Sequence, residues 1–121
     1  MTFPELKTLD VQALEGILSI KSSQGNLLVK LVSLYNEESP ELISQIAEGI
    51  KNSDVGQVLS SSHSLKSTSA TLGAMTLADY ARDLENMSRK DDLTSSAAVL
   101  DAIKEEHTRV VADLELLIAS L

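Results

Sequence analysis

His63 and Lys66 carry the most distinctive chemistry in this sequence. They stand in the run Ser62-His63-Ser64-Leu65-Lys66-Ser67-Thr68-Ser69-Ala70-Thr71-Leu72-Gly73-Ala74. Read as a helix, the segment places Val55, Leu59, Ser62, Leu65, Ser69 and Leu72 on one face, because steps of three and four residues return to the same side. His63 falls roughly 120° from the centre of that face at about 100° per residue, so it points outward or along the boundary. The stripe it shares holds Gly56, Ser60, Ser67 and Ala70. Apart from the imidazole, that stripe has nothing large and nothing charged, whereas most exposed helix faces of the chain are decorated with Glu, Asp and Lys. A lone imidazole on a bare face is what a protein needs when another protein must reach the ring. Imidazole is largely neutral and nucleophilic near pH 7. Lys66, at i+3, brings an ammonium one turn from the imidazole, where it can pair with an anionic group held near the ring. Bulk at Ser60 or Ser67 would block the approach of a partner.

The other histidine reads differently. His107 lies in the apolar stripe of the last helix, with no Lys at i+3 and no bare face around it. A partly buried, hydrogen-bonded histidine is expected there rather than a second reactive site. Carboxylate-bridged metal sites in helix bundles need Glu-x-x-His on two helices, but Ser60 and Lys104 occupy the positions three before the two histidines. No Gly-rich phosphate loop is present, so we expect no ATP binding and no self-phosphorylation. No Ser-His-Asp constellation can be placed. We expect no metal and no cofactor on this chain.

The elements that must position these residues are helices. A lead-in over residues 1–8 is followed by a short helix carrying Val11, Leu14, Ile17 and Leu18 on one face, capped by Thr8 or Asp10. Ser22 to Asn26 is polar and turn-like. The next stripe runs Leu28, Leu31, Tyr35, Ser39, Leu42, Ile46, Ile50 and keeps its phase through Pro40. Either one long helix kinks near Pro40, or a new helix starts with Ser39 as cap; the unbroken phase favours the kinked helix. Ser53 or Asp54 caps the His63 helix, and Gly73 stops it. A helix from about Thr76 turns Leu77, Ala81, Leu84 and Met87 inward. Thr94 caps the last helix, whose stripe is Leu100, Ile103, His107, Val110, Val111, Leu114, Leu117, Ile118 and Leu121. These patterns predict an all-α, antiparallel up-and-down four-helix bundle with a short extra N-terminal helix.

Composition agrees with that class and removes others. The 121 residues suit a single domain spanning 1–121, long enough to bury a core without disulfides or metals. Hydrophobic residues make up 43 % and aromatics only 2 %, so the core must be aliphatic. A formal net charge of −8 argues against nucleic acid and against an anionic membrane surface. The absence of cysteine removes any disulfide framework or thiol nucleophile. No apolar run approaches about 20 residues and no signal-peptide layout is present. We therefore expect a soluble, cytoplasmic, monomeric protein.

The spacing around His63 resembles the histidine-containing phosphotransfer (Hpt) domains of bacterial multistep phosphorelays. The resemblance rests on His63-Ser64-Leu65-Lys66, a small residue after it, and Leu72-Gly73-Ala74 nine to eleven positions past the histidine. Upstream, Leu31 to Ile43 is similar to the family's aromatic–acidic–Pro segment. Downstream, Leu77 to Arg89 is similar to the helix packed beside the active histidine, with its pair Leu84-Glu85. The likeness covers roughly residues 9 to 120.

The resemblance implies a phosphohistidine carrier. His63 would take a phosphoryl group from the Asp of one receiver domain and pass it to the Asp of another, in response regulators or hybrid sensor kinases. The matching histidine in the family is phosphorylated on Nε2. Glu85 matches the residue that accepts a hydrogen bond from Nδ1–H, and Lys66 matches the family lysine. Mg²⁺ would come with the receiver. The chain departs from the pattern at Ser67, where many members have Gly. Gly56, Ser60, Ser67, Ala70 and Ala74, with parts of the first helix, are the expected partner contacts. The rival reading is a non-catalytic helical module that binds or sequesters a receiver or kinase.

Overall fold

The computed structural model describes residues 4–18 and 27–121; the expected turn at Ser22 to Asn26 lies outside them. Five helices follow in order: α1 (Val11–Leu18), α2 (Leu27–Lys51), α3 (Val55–Thr71), α4 (Met75–Arg89) and α5 (Ser96–Ala119). Helix α3 packs against α2 and α4, and α5 closes the bundle against α4 and α2. With links this short between long helices, neighbours run antiparallel. Among the described residues there is no strand. The expected four-helix bundle with a short N-terminal helix is the observed fold. Its core is aliphatic, with Leu14, Ile46, Leu65, Leu84, Ile103 and Leu114 all fully buried.

Helix α2 continues through Pro40 as a single helix. An interior proline costs about 3 kcal/mol, but Tyr35, Ser39, Ile43 and Ile46 stay buried in phase across it, and that packing outweighs the missing hydrogen bond. The first turn of α3 is held by Asp54, whose Oδ1 accepts the Gln57 N–H at 3.1 Å. Where α2 and α3 converge, Gly49 is required: a Cβ there would stand 2.8 Å from Val58 Cγ2.

Gly73 ends α3 at φ +78°. The Ala74 N–H reaches back to Ser69 O at 2.9 Å and the Gly73 N–H to Ala70 O at 3.0 Å, the double return of a Schellman stop. The same glycine lets the N-terminal segment approach. Asp10 N–H donates to Gly73 O at 2.8 Å, and a Cβ on Gly73 would lie 2.7 Å from Asp10 O. Asp10 also caps α1, accepting the Gln12 N–H at 3.0 Å.

Three sequence-based expectations shift. The inward face of α3 is centred on Val58, Ser61, Ser62, Leu65 and Ser69, while Val55 and Leu59 are only half-buried. Packing between two neighbours widens the buried arc, and small serines fit it because each finds an acceptor or donor, as Ser62 Oγ does on Val58 O at 2.6 Å. Thr94 does not cap α5; its N–H and hydroxyl both turn to Asp92 Oδ1, and the helix starts two residues later. Leu121 lies past the end of α5 and is half exposed.

Two buried carboxylates of α5, not anticipated from sequence, fasten the lead-in. Asp113 accepts the backbone N–H groups of Lys7, Thr8 and Leu9 at 3.0, 2.7 and 3.0 Å, and Glu106 accepts the Thr8 hydroxyl. Their spacing from Val110 and Leu117 put both on the apolar face of α5, which was the available signal.

Candidate functional site

His63 and Lys66 stand one turn apart on α3, and the tight stop at Gly73 folds α4 back alongside. That return brings Glu85, 22 residues away in sequence, to 3.0 Å between its Oε2 and His63 Nδ1. Glu85 belongs to the buried face of α4, with Leu84 and Ser88 beside it. Its side chain is 3 % exposed, whereas that of His63 is 60 % exposed.

A carboxylate this deeply placed requires compensating charge. Lys66 Nζ donates to Oε1 at 2.6 Å and Arg89 Nη2 to Oε2 at 2.7 Å. The Lys66 ammonium foremost, then the Arg89 guanidinium, with a smaller contribution from His63, hold the Glu85 carboxyl at about 2 against the upward push of burial. Glu85 is therefore ionised at neutral pH and can only accept. The proton of a neutral His63 ring must then sit on Nδ1, leaving the lone pair on Nε2. No described residue bonds Nε2.

The bare stripe takes the form its residue types suggest. Gly56, Ser60 and Ser67 are exposed and Ala70 is half-buried. Ala74 is a correction: it is fully buried as part of the hydrophobic core, so it cannot touch a partner. Beside His63, between α2 and α3, runs an open groove of about 460 Å³ whose walls include Glu38, Glu41, Leu42, Ser64 and Ser67. Farther along, a smaller groove adds Leu31, Leu34 and Tyr35.

His107 is a partly buried, hydrogen-bonded histidine. Its Nε2 is 2.8 Å from Ser39 Oγ, its ring is tilted against Tyr35, and Tyr35 OH meets Ser69 Oγ at 2.9 Å. Burial lowers its pKa from 6.5. Among the described residues no group of three or more His, Cys, Asp or Glu could hold a metal ion, and no helix is long and apolar enough to cross a membrane.

Arg89 was not singled out from sequence. Its position at i+4 from Glu85, an ion-pair spacing on a helix, was the signal. The acidic wall of the groove was not legible either, since it depends on the register of α2 against α3.

The family model of the Hpt domain matches residues 30–113. The chain belongs to the Hpt family. Among solved structures it is similar to histidine-containing phosphotransfer protein B of Pseudomonas aeruginosa PAO1, with a TM-score of 0.83 over 92 % of this chain and 94 % of that one. At 22 % identity that likeness concerns the fold. No curated protein matches the chain. Hpt proteins are phosphotransfer carriers in phosphorelays, working with receiver domains and not as kinases, and the family match gives this chain that carrier role.

Proposed function

We propose that His63 is the phosphoryl-carrying residue of this Hpt domain, taking the group from one receiver's aspartyl phosphate and passing it to a second receiver. The observation that carries the reading is the exposed ring whose Nδ1 is held by a buried, ionised Glu85. The Nε2 lone pair attacks phosphorus, the P–O bond to the receiver's aspartate breaks, and the carboxylate leaves. The ring keeps its Nδ1 proton and becomes cationic. Glu85 stabilises that developing charge, as a carboxylate behind an imidazole does in hydrolytic triads. In the second step the next receiver's carboxylate attacks phosphorus and the N–P electron pair returns to Nε2.

Lys66 offsets the charge of the phosphoryl oxygens. Gly56, Ser60, Ser67 and Ala70 give the receiver a surface without bulk, so that attack can be in line. Mg²⁺ comes with the receiver. The protein acts as a cytoplasmic monomer, without a kinase activity of its own.

The test is transfer from a receiver carrying radiolabelled phosphate. Acid-labile, base-stable label on the wild type and none on His63→Gln, at equal helical content, is the expected result. Absence of label across a broad receiver panel would leave a sequestering module. Lys66→Ala should slow transfer or shorten the life of the phosphorylated form; no change in either removes its assigned role.

A further inference from the structure

The charge arrangement around Glu85 is lopsided in a way the transfer chemistry can use. One carboxylate holds two full cations, so with a neutral imidazole the cluster carries one positive charge in excess. The two cations are on different oxygens. Lys66 is alone on Oε1, while Arg89 shares Oε2 with His63 Nδ1. Lys66 comes from the same helix as the histidine, one turn on, and Arg89 from one turn farther along α4 than Glu85 itself.

A phosphoryl group on His63 would bring about two negative charges next to an ammonium that is already engaged. If Lys66 were the only cation, its move to phosphate would strip a buried carboxylate of its partner, one of the costlier changes a protein interior can undergo. Arg89 removes that obstacle. Its guanidinium cannot lose its proton, its i+4 spacing keeps it beside Glu85, and its hydrogen bond falls on the oxygen that orients the ring.

Resting on the carrier reading of His63, we propose that Arg89 is a positioning residue: it holds Glu85 against Nδ1 so that Lys66 is free to leave Oε1 and meet the phosphoryl group. The arrangement divides the work between the cations. Arg89 acts through Glu85 on the tautomer and orientation of the ring, and Lys66 acts on the transferred group. Arg89 itself never needs to touch phosphate.

The experiment uses the whole chain as wild type, Arg89→Gln and Arg89→Lys, after circular dichroism shows equal helical content. Two readouts are taken. The first is the imidazole ¹⁵N spectrum of unphosphorylated His63, which reports the proton's position without any phosphate chemistry. The second is the rate of transfer from a labelled receiver. Arg89→Gln should shift the ring from the Nδ1–H form towards a mixture of tautomers and slow transfer by about fivefold, the scale of a partly exposed charge pair. Arg89→Lys should restore most of both. A folded Arg89→Gln with the wild-type ring spectrum and wild-type rate would overturn the proposal and make Arg89 an ordinary surface ion pair. Should the wild type accept no label, the carrier reading fails; the ring spectrum then decides separately whether Arg89 positions His63 through Glu85.

Discussion

Glu85 is 22 residues from His63 in sequence, yet its Oε2 is 3.0 Å from Nδ1. The neighbouring helix thus decides which ring nitrogen keeps its lone pair, because a carboxylate held ionised by two cations can accept a proton donor but offer none. The tautomer of a neutral ring on α3 is set by a residue on α4, and the short return at Gly73 is what places the two side by side.

That relationship predicts an acid-side signature. The folded-state pKa of Glu85 is depressed from 4.5 to about 2. Its contribution to stability is therefore present above the unfolded value and lost as pH falls through the folded one. The stability difference between wild type and Glu85→Gln, measured by urea unfolding, should be constant above pH 5 and shrink between about 4.5 and 2. A difference that stays flat across that window would mean that Lys66 and Arg89 do not hold the carboxylate in solution.

Access to the ring makes a second prediction. Ser67 is exposed one turn beyond His63 and on the wall of the adjoining groove. Ser67→Trp should leave the helical content unchanged and slow transfer from a receiver by about a hundredfold, the scale expected when reacting groups are held even slightly out of place. Phosphoramidate, a small donor that needs no docking, should still label His63 at close to the wild-type rate. Equal slowing with both donors would locate the effect in the ring's own chemistry rather than in docking.

How much of this was legible in the sequence depended on whether a residue acts within its own helix. The bare stripe around His63, the Lys66 spacing and the stop at Gly73 are local features, and each stands where the 3.6-residue period puts it. The burial of Ser61 was missed because hydrophobicity is a poor guide where a serine satisfies its hydroxyl on a neighbouring helix, as Ser61 Oγ does on Gln45 Oε1. Ala74 was misplaced because it follows the stop at Gly73 and joins the core, where the period of α3 no longer applies. Arg89 and the Glu38–Glu41 wall needed the register between helices, which single-helix patterns do not contain.

The docking of the N-terminal segment supports a third prediction. Asp113, buried on α5, accepts three consecutive backbone N–H groups from Lys7, Thr8 and Leu9. Asp113→Ala leaves those donors without their acceptor and should cost about 2–3 kcal/mol in chemical denaturation. The His63–Glu85 pair is built on α3 and α4, so phosphoryl transfer at temperatures where the variant is folded should be unchanged. A stability within about 0.5 kcal/mol of wild type would show that water replaces the carboxylate at no cost and that the lead-in is not fastened through α5.

His107 supplies the last. Burial lowers its pKa from 6.5, and its Nε2 meets Ser39 Oγ at 2.8 Å at the end of a polar chain that includes Tyr35 and Ser69. The fold favours the neutral ring. Its contribution is therefore complete above pH 6.5 and is lost as pH falls through the lowered folded value. Protonation would put a charge into a partly buried site and force Ser39 Oγ to act only as acceptor, with no carboxylate among the described residues bonded to the imidazole to offset the charge. Replacing the ring by Gln keeps a group able to meet Ser39 and removes the titration. Between pH 7.5 and 5.5 the wild type should lose more of its thermal midpoint than His107→Gln does. Parallel midpoints for the two proteins over that range would mean that the ring is solvated enough to take its proton freely, and that the polar chain through Ser39 does not depend on its charge.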